Sequence, residues 1–322
     1  MTVPMHADLH SQALYRIGRK TAMIQSVMLP FRKILFPVDY SAPCCATIPY
    51  VKDMARQFSA ELTLVHAYSL RPAFVTRDLE GVMVYNDLAT DPALLEEARR
   101  FETERIRQFA KEEFPGQRVE CFAEEGEAGT VIHRILQHQG ADLVMMPTRG
   151  DAPLRRFLLG SVTAKVLHDV SAAVWTGVGA ALENHQPSVP YKSIVCALDE
   201  SEEAEAVLLA AAALAKSYTA ALALVHVLEM PPATPEMDFN IYRKELMDAA
   251  HTRLRLLKSR LNLDAPDTVV DVGIPDGIHA EIVRRKADLL VIGRGHDQGA
   301  ISRIWSRLYA IVRDSPCPVL SV

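Results

Sequence analysis

The residues with the most pointed chemistry in this sequence are two glycines, a serine and an acid. Gly150 is followed by nine residues, Asp151 to Leu159, and then by Gly160-Ser161-Val162-Thr163-Ala164-Lys165. A glycine leading into that run opens a helix whose first N–H groups have no intrahelical acceptor. Such groups point at the preceding loop as a ready anion site, and glycine lets a phosphate approach the backbone closely. Arg149, Arg155 and Arg156 place positive charge in the same loop. Asp39, at the end of an apolar run, can accept hydrogen bonds from a ribose or a base.

In a parallel sheet, ligands sit beyond the carboxyl ends of the strands, so the elements that lead into these residues matter. Ile34–Val38 is a short apolar run ending in an acid, as expected of a strand buried on both faces. Ser41 follows as an expected helix N-cap. Glu61–Val65 reads as a second strand and Arg118–Phe122 as a third. Between them, Leu94–Phe114 reads as an amphipathic helix with Leu94, Ala98, Phe101 and Phe109 on one face and Glu96–Arg100 as an i,i+4 pair on the other. A turn at Gly126 leads into a further helix, then Leu143–Met146 and Ala172–Thr176 complete the strands. Strands and helices in strict alternation predict right-handed crossovers and a doubly wound parallel sheet.

The same order then recurs. Lys33-Ile34-Leu35-Phe36-Pro37-Val38-Asp39-Tyr40-Ser41 is matched by Lys192 to Ser201, with Asp199 at the position of Asp39. Leu64-Val65-His66 is matched by Leu224-Val225-His226, Val131-Ile132-His133 by Ile278-His279, and Ala141-Asp142-Leu143-Val144 by Ala287-Asp288-Leu289-Leu290. The offsets are 199 − 39 = 160, 224 − 64 = 160 and 287 − 141 = 146, so the first copy has the longer middle section. In the second copy Ser201 is the expected cap of a helix over Glu202–Lys216. The expected organisation is a poorly ordered tail over 1–31, one domain over 32–176, a linker over 177–190 rich in turn residues, and a second copy over 191–322. Residues 1–33 carry Arg16, Arg19, Lys20, Arg32 and Lys33 against the single acid Asp8 without a secretory pattern; a start at Met28 would fall just before the first strand.

Composition narrows the classes further. The longest apolar stretch, Ala206 to Ala215, is about half of the ~20 residues that cross a bilayer, so no membrane span is expected. A net charge of −5 gives no general pull toward nucleic acid. Five cysteines without a C-x-x-C pair argue against a disulfide framework or zinc site and for a reducing cytoplasm. Adjacent Cys44 and Cys45 read as small helix fillers.

These motifs, taken in order, resemble the universal stress protein family as a tandem of two domains, from about Arg32 to Val322. The family's nucleotide pattern is G-x2-G-x9-G-[ST]. The first copy has Pro147-x2-Gly150-x9-Gly160-Ser161, and the run from Arg156 to Leu167, Phe36-Pro37-Val38-Asp39-x-Ser41 and the closing Ser315 to Val322 are close to the family text. The resemblance implies two Rossmann-like, adenine nucleotide alpha hydrolase-like domains. It implies that Pro37, Asp39 and Val65 line an adenine and ribose pocket, that Met146 and Gly150 contact ribose and phosphates, and that Gly160, Ser161 and Val162 hold the phosphate tail. The implied cofactor is ATP, with or without Mg²⁺. Pro147 stands where the family has glycine and supplies no N–H. In the second copy, counting three on from Gly293 reaches His296, and ten further reaches Ser306-Arg307, so that copy reads as degenerate.

No catalytic set is visible: no paired carboxylates, no G-x4-G-K-[ST] and no Ser–His–Asp order in the first copy. His133 and His138 are five apart and point about 140° from one another on a helix, which does not suit a metal pair. His66 and His226 are expected to pack or hydrogen-bond near the pocket. The expected function is a cytoplasmic stress-response protein that binds ATP or a related adenine nucleotide in its first domain and acts through an unknown protein partner, without nucleic acid or membrane. The alternatives are a nucleotide-free interaction module and a slow ATP hydrolase. The last strands, Ala172–Thr176 and Val319–Val322, could pair within one chain as an intrachain pseudo-dimer or between chains as a homodimer.

Overall fold

Ile34, Leu35 and Phe36 have no solvent exposure at all, and they follow one another without polar alternation. Such a run fits only a strand covered on both faces, and strand β1 (Lys33–Pro37) is central in its sheet. The computed structural model describes residues 29–69, 73–77, 83–87, 92–150, 159–177, 188–201, 203–228, 238–294 and 301–322. The tail before residue 29, Arg155, Arg156, His296 and most of the expected linker lie outside them. The chain forms two compact units, one made of Arg32–Val170 and Val174–Pro190, the other holding Tyr191–Val322 with Ser171–Ala173.

The first unit runs β1, α1 (Ala42–Phe58), β2 (Glu61–Tyr68), β3 (Ala73–Arg77), β4 (Met83–Asp87), α2 (Pro92–Glu113), β5 (Val119–Glu125), α3 (Ala128–Gln139), β6 (Leu143–Pro147), α4 (Ser161–Asp169) and β7 (Ala173–Gly177). Its main sheet has the order β5-β2-β1-β6-β7, and β1 pairs in parallel with both β2 and β6. The chain reverses direction across the sheet at β1, so β1 and β6 flank the switch in strand order. The second unit runs β8 (Ser193–Leu198), α5 (Ala204–Tyr218), β9 (Ala221–Val227), α6 (Phe239–Arg260), β10 (Asp267–Val270), α7 (Ile274–Arg285), β11 (Leu289–Ile292), α8 (Ile301–Asp314) and β12 (Val319–Ser321). Its sheet order β10-β9-β8-β11-β12 is all parallel and repeats the first. The extra length of the first copy holds the antiparallel pair β3–β4, with Ala73 opposite Asp87.

One repeated motif now has a physical cause. Asp142 accepts from the backbone N–H groups of Arg32 (2.8 Å) and Lys33 (3.1 Å), and Asp288 accepts from those of Lys192 (2.8 Å) and Ser193 (3.0 Å). The acid before the fourth main strand thus ties down the start of the first. Ser41 caps α1 as expected, its hydroxyl accepting from the Cys44 N–H. Ser201 does not cap the matching helix. Helix α5 starts later, with Glu203 at its cap position, and the Ser201 hydroxyl donates to Asp199 as the Ser41 hydroxyl does to Asp39.

On α2 Ala98 and Phe109 are half-buried as expected, the Leu94 side chain lies outside the described ones, and Phe101 departs. Phe101 is 66% exposed, whereas Ile106 is fully buried. The inward stripe passes through Glu102, Ile106, Phe109 and Ala110. Counting only apolar residues missed it because Glu102 faces inward, with its carboxylate 3.6 Å from His66. The Glu96–Arg100 pair is present at 3.2 Å on the outer face. This assignment separates two substitutions: Ile106→Ala should cost about 2–5 kcal/mol and Phe101→Ala less than about 0.5 kcal/mol, as read from urea denaturation monitored by circular dichroism.

Candidate functional site

The carboxyl ends of β1, β2 and β6 meet the start of α4 around a cavity of about 260 Å³. Every site residue expected from the sequence lines it: Pro37 and Asp39 from the end of β1, Val65 from β2, Met146 from β6, Gly150 from the loop, and Gly160, Ser161 and Val162 from the helix start. Sequence reasoning had also placed Arg149 in this loop, and its side chain lines the cavity. It had not assigned Ala67, Ala128, Ile132 or Thr163 to the lining. The recurring Val131-Ile132-His133 motif was the available signal for the α3 wall.

Asp39 is held in place by its neighbour. Its Oδ1 accepts from the Ser41 backbone N–H (3.0 Å) and from the Ser41 hydroxyl (2.6 Å). Its Oδ2 faces Gly150, where an added Cβ would approach it to 2.9 Å. Glycine at 150 is therefore the residue that lets the loop pass over a pinned carboxylate. Gly160 is tight for a different reason: a Cβ there would meet the Arg149 Cα and the Thr148 carbonyl, each at 3.2 Å.

The start of α4 is built for an external acceptor. Gly160 donates its N–H to the Thr148 carbonyl (2.9 Å) and supplies no side-chain cap. The next N–H groups, of Ser161, Val162 and Thr163, belong to the first helical turn and lie at the cavity wall. Thr163 donates its hydroxyl to the Pro147 carbonyl (3.0 Å), which ties the helix to the end of β6. Positive helix-end potential, Arg149 and an apolar wall together suit a ligand with an apolar ring and an anionic tail.

Behind the cavity, His66 fixes the strand end that carries Asp39. Its Nδ1 lies 2.7 Å from the Val38 carbonyl, so this nitrogen carries the proton. Tyr40 has a positive φ of 61°, its ring centre lies 4.8 Å from that of His66, and the Arg105 guanidinium lies over the Tyr40 ring at 3.9 Å from its centre. Burial pushes the Tyr40 hydroxyl up to about 12. His226 repeats the contact on the Leu198 carbonyl at 2.8 Å.

Glu127 caps α3 beside the cavity. Its carboxylate accepts from the N–H groups of Gly129 and Thr130 and pairs with Lys165 at 2.9 Å. The Thr130 hydroxyl, then Lys165, hold the carboxyl down to about 2.

The second unit has a cavity at the corresponding place, of about 140 Å³. The offsets pair its walls with those of the first. Val38 corresponds to Leu198, Ala67 to Val227 and Ala128 to Ile274, and each change adds apolar bulk. Helices α4 and α8 end at Asp169 and Asp314, an offset of 145, and their buried positions Thr163/Leu308 and Leu167/Val312 agree with it. Gly160 then corresponds to Trp305, and Ser161 to Ser306. This corrects the count that set Ser306-Arg307 against Gly-Ser, because the intervening loop is one residue shorter. Helix α8 begins at Ile301, five residues before Ser306. The N–H groups that face the first cavity are therefore inside the helix in the second, already bonded to the preceding turn.

Comparison with known proteins accords with this architecture. The universal stress protein family model matches residues 30–176 and again residues 190–322. The chain belongs to the universal stress protein family. A universal stress protein of Methanocaldococcus jannaschii is 27% identical over 144 residues, covering 45% of this chain and 80% of the relative. A second from the same organism is 24% identical over 149 residues, covering 42% and 88%. Among solved structures, a protein of unknown function from Pseudomonas aeruginosa PAO1 matches with a TM-score of 0.62 at 14% identity, covering 94% of each chain. A universal stress protein from Archaeoglobus fulgidus matches with a TM-score of 0.57 at 19% identity, covering 90% and 95%. At these identities the structural likeness concerns the fold. Among the described residues of this universal stress protein, no helix is long and apolar enough to cross a membrane, and no three metal-binding side chains cluster.

Two outcomes follow for the first cavity. Gly150→Ala should destabilise by about 1–3 kcal/mol in the native background and by much less beside Asp39→Ala; equal losses in both backgrounds would contradict the pinned-carboxylate account. Glu127 has a depressed pKa, so its contribution is complete above its ordinary value and is lost as pH falls through that value toward about 2. The melting-temperature gap between the native chain and Glu127→Gln should accordingly be widest near neutral pH and shrink below about pH 4.

Proposed function

We propose that the first cavity binds an adenine nucleotide, ATP or a close relative, and that this tandem universal stress protein serves a stress-response role through a protein partner rather than through chemistry of its own. The observation that carries the reading is the convergence of Asp39, Gly150 and the uncapped start of α4 on one cavity with an apolar wall. The base and ribose would lie against Val65, Met146 and Asp39, and the phosphates would reach the N–H groups of Ser161 and Val162. Asp39 is the one acid among the described lining residues, and its free oxygen suits a ribose hydroxyl. Mg²⁺, where it accompanies the nucleotide, takes oxygen ligands largely from the phosphates and neutralises their charge. No base is set to activate a water against the phosphates among the described lining residues, which supports a binding role over hydrolysis. None of the five cysteines is in a disulfide, which fits a reducing cytoplasm.

Pro147 favours the nucleotide-free alternative, since it lacks the N–H that glycine offers and its carbonyl is engaged by Thr163. One set of melts separates the readings. ATP with Mg²⁺ at 100 times its Kd should stabilise the chain by about 2.7 kcal/mol. Gly160→Trp should abolish the shift by filling the phosphate end, and Pro147→Gly should enlarge it. No shift at millimolar ATP, in either the native chain or Pro147→Gly, would leave the nucleotide-free module as the function.

A further inference from the structure

The second cavity keeps the ring-binding half of the first and discards its phosphate half. Asp199 ends β8 as Asp39 ends β1, and Ser201 holds its Oδ1 through its backbone N–H at 3.0 Å. Val225 stands where Val65 stands. Beyond these, the wall is branched aliphatic: Ile274, Ile278, Ile292 and Ile311 line it together with Leu308. Two arginines, Arg294 and Arg307, also line it. Arg294, 3% exposed, donates to the carbonyls of Ser171 (3.3 Å) and Ala172 (2.7 Å). Arg307 occupies the helix position that Val162 has in the first unit, half-buried at the edge of the cavity.

Size and chemistry then select a ligand class. The second cavity is about 140 Å³ against about 260 Å³ for the first, enough for a single ring beside the aliphatic wall. The helix-start amides that line the first cavity have no counterpart here, because the corresponding amides lie inside α8. We propose that the second cavity is a separate binding site for a compact, uncharged ring-sized molecule carrying one O–H or N–H donor, which Asp199 accepts. This site does not depend on whether the first cavity takes a nucleotide.

Phenol is a suitable probe, followed on the full chain by isoleucine methyl resonances. Phenol should shift the methyl groups of Ile274, Ile278, Ile292 and Ile311 saturably in the millimolar range and leave Ile132 of the first cavity unmoved. ATP with Mg²⁺ should not move the four second-cavity methyls. Asp199→Ala should weaken phenol roughly tenfold and leave benzene unchanged. Leu308→Trp should abolish the shifts by filling the cavity. Ala197→Leu, a milder filler, should weaken them with the Ile132 resonance still at its native position as a check on folding. Absence of saturable shifts with phenol, their survival in both filled variants, or displacement of phenol by ATP would each overturn the proposal.

Discussion

The hydrogen bonds from Ser41 to one oxygen of Asp39 organise the first cavity. They turn the other carboxylate oxygen toward the loop at Gly150, and that loop must carry glycine to pass. The bond from the Gly160 N–H to the Thr148 carbonyl fixes where α4 starts and so where its first N–H groups point. His66 secures the same strand end from the opposite side through the Val38 carbonyl. A carboxylate held from one side and a strand end held from the other give a pre-formed acceptor, and a pre-formed site loses less freedom when a ligand orders it.

The second unit shows which parts of this arrangement belong to the fold and which to the ligand. The Asp199–Ser201 pair, the His226 contact and the Asp288 clamp all recur. They stabilise strand ends whether or not anything binds. What differs is the start of the last helix and the bulk of the walls. Starting α8 before the cavity consumes the amides that made an anion site, and the valine, leucine and isoleucine replacements shrink the space. Divergence around the two cavities thus lies in a helix start and in wall side chains, while the strand order stays the same.

The parallel sheet and the repeat were legible from local signals: an apolar run ending in an acid, a glycine before a helix, and the same motifs twice; the set of eight lining residues came with the resemblance to the family. The misreadings came where a partner distant in sequence decided the outcome. Phe101 looked inward by apolar period, but the inward stripe includes Glu102, whose partner His66 lies on another element. Ser201 keeps the contact that Ser41 makes with the preceding acid, but α5 starts only at Ala204, with Glu203 in the cap position. The β3–β4 pair left no alternation strong enough to read. The extra turn of α8 was hidden because counting from Gly293 assumes a loop of constant length.

The central claim is that this two-unit universal stress protein holds one adenine nucleotide, in the first unit. Calorimetric titration of ATP with Mg²⁺ into the full chain tests it most directly, because the binding ratio is read without assigning the site in advance. The account predicts one ATP per chain. Two per chain, or none at any accessible concentration, would contradict it.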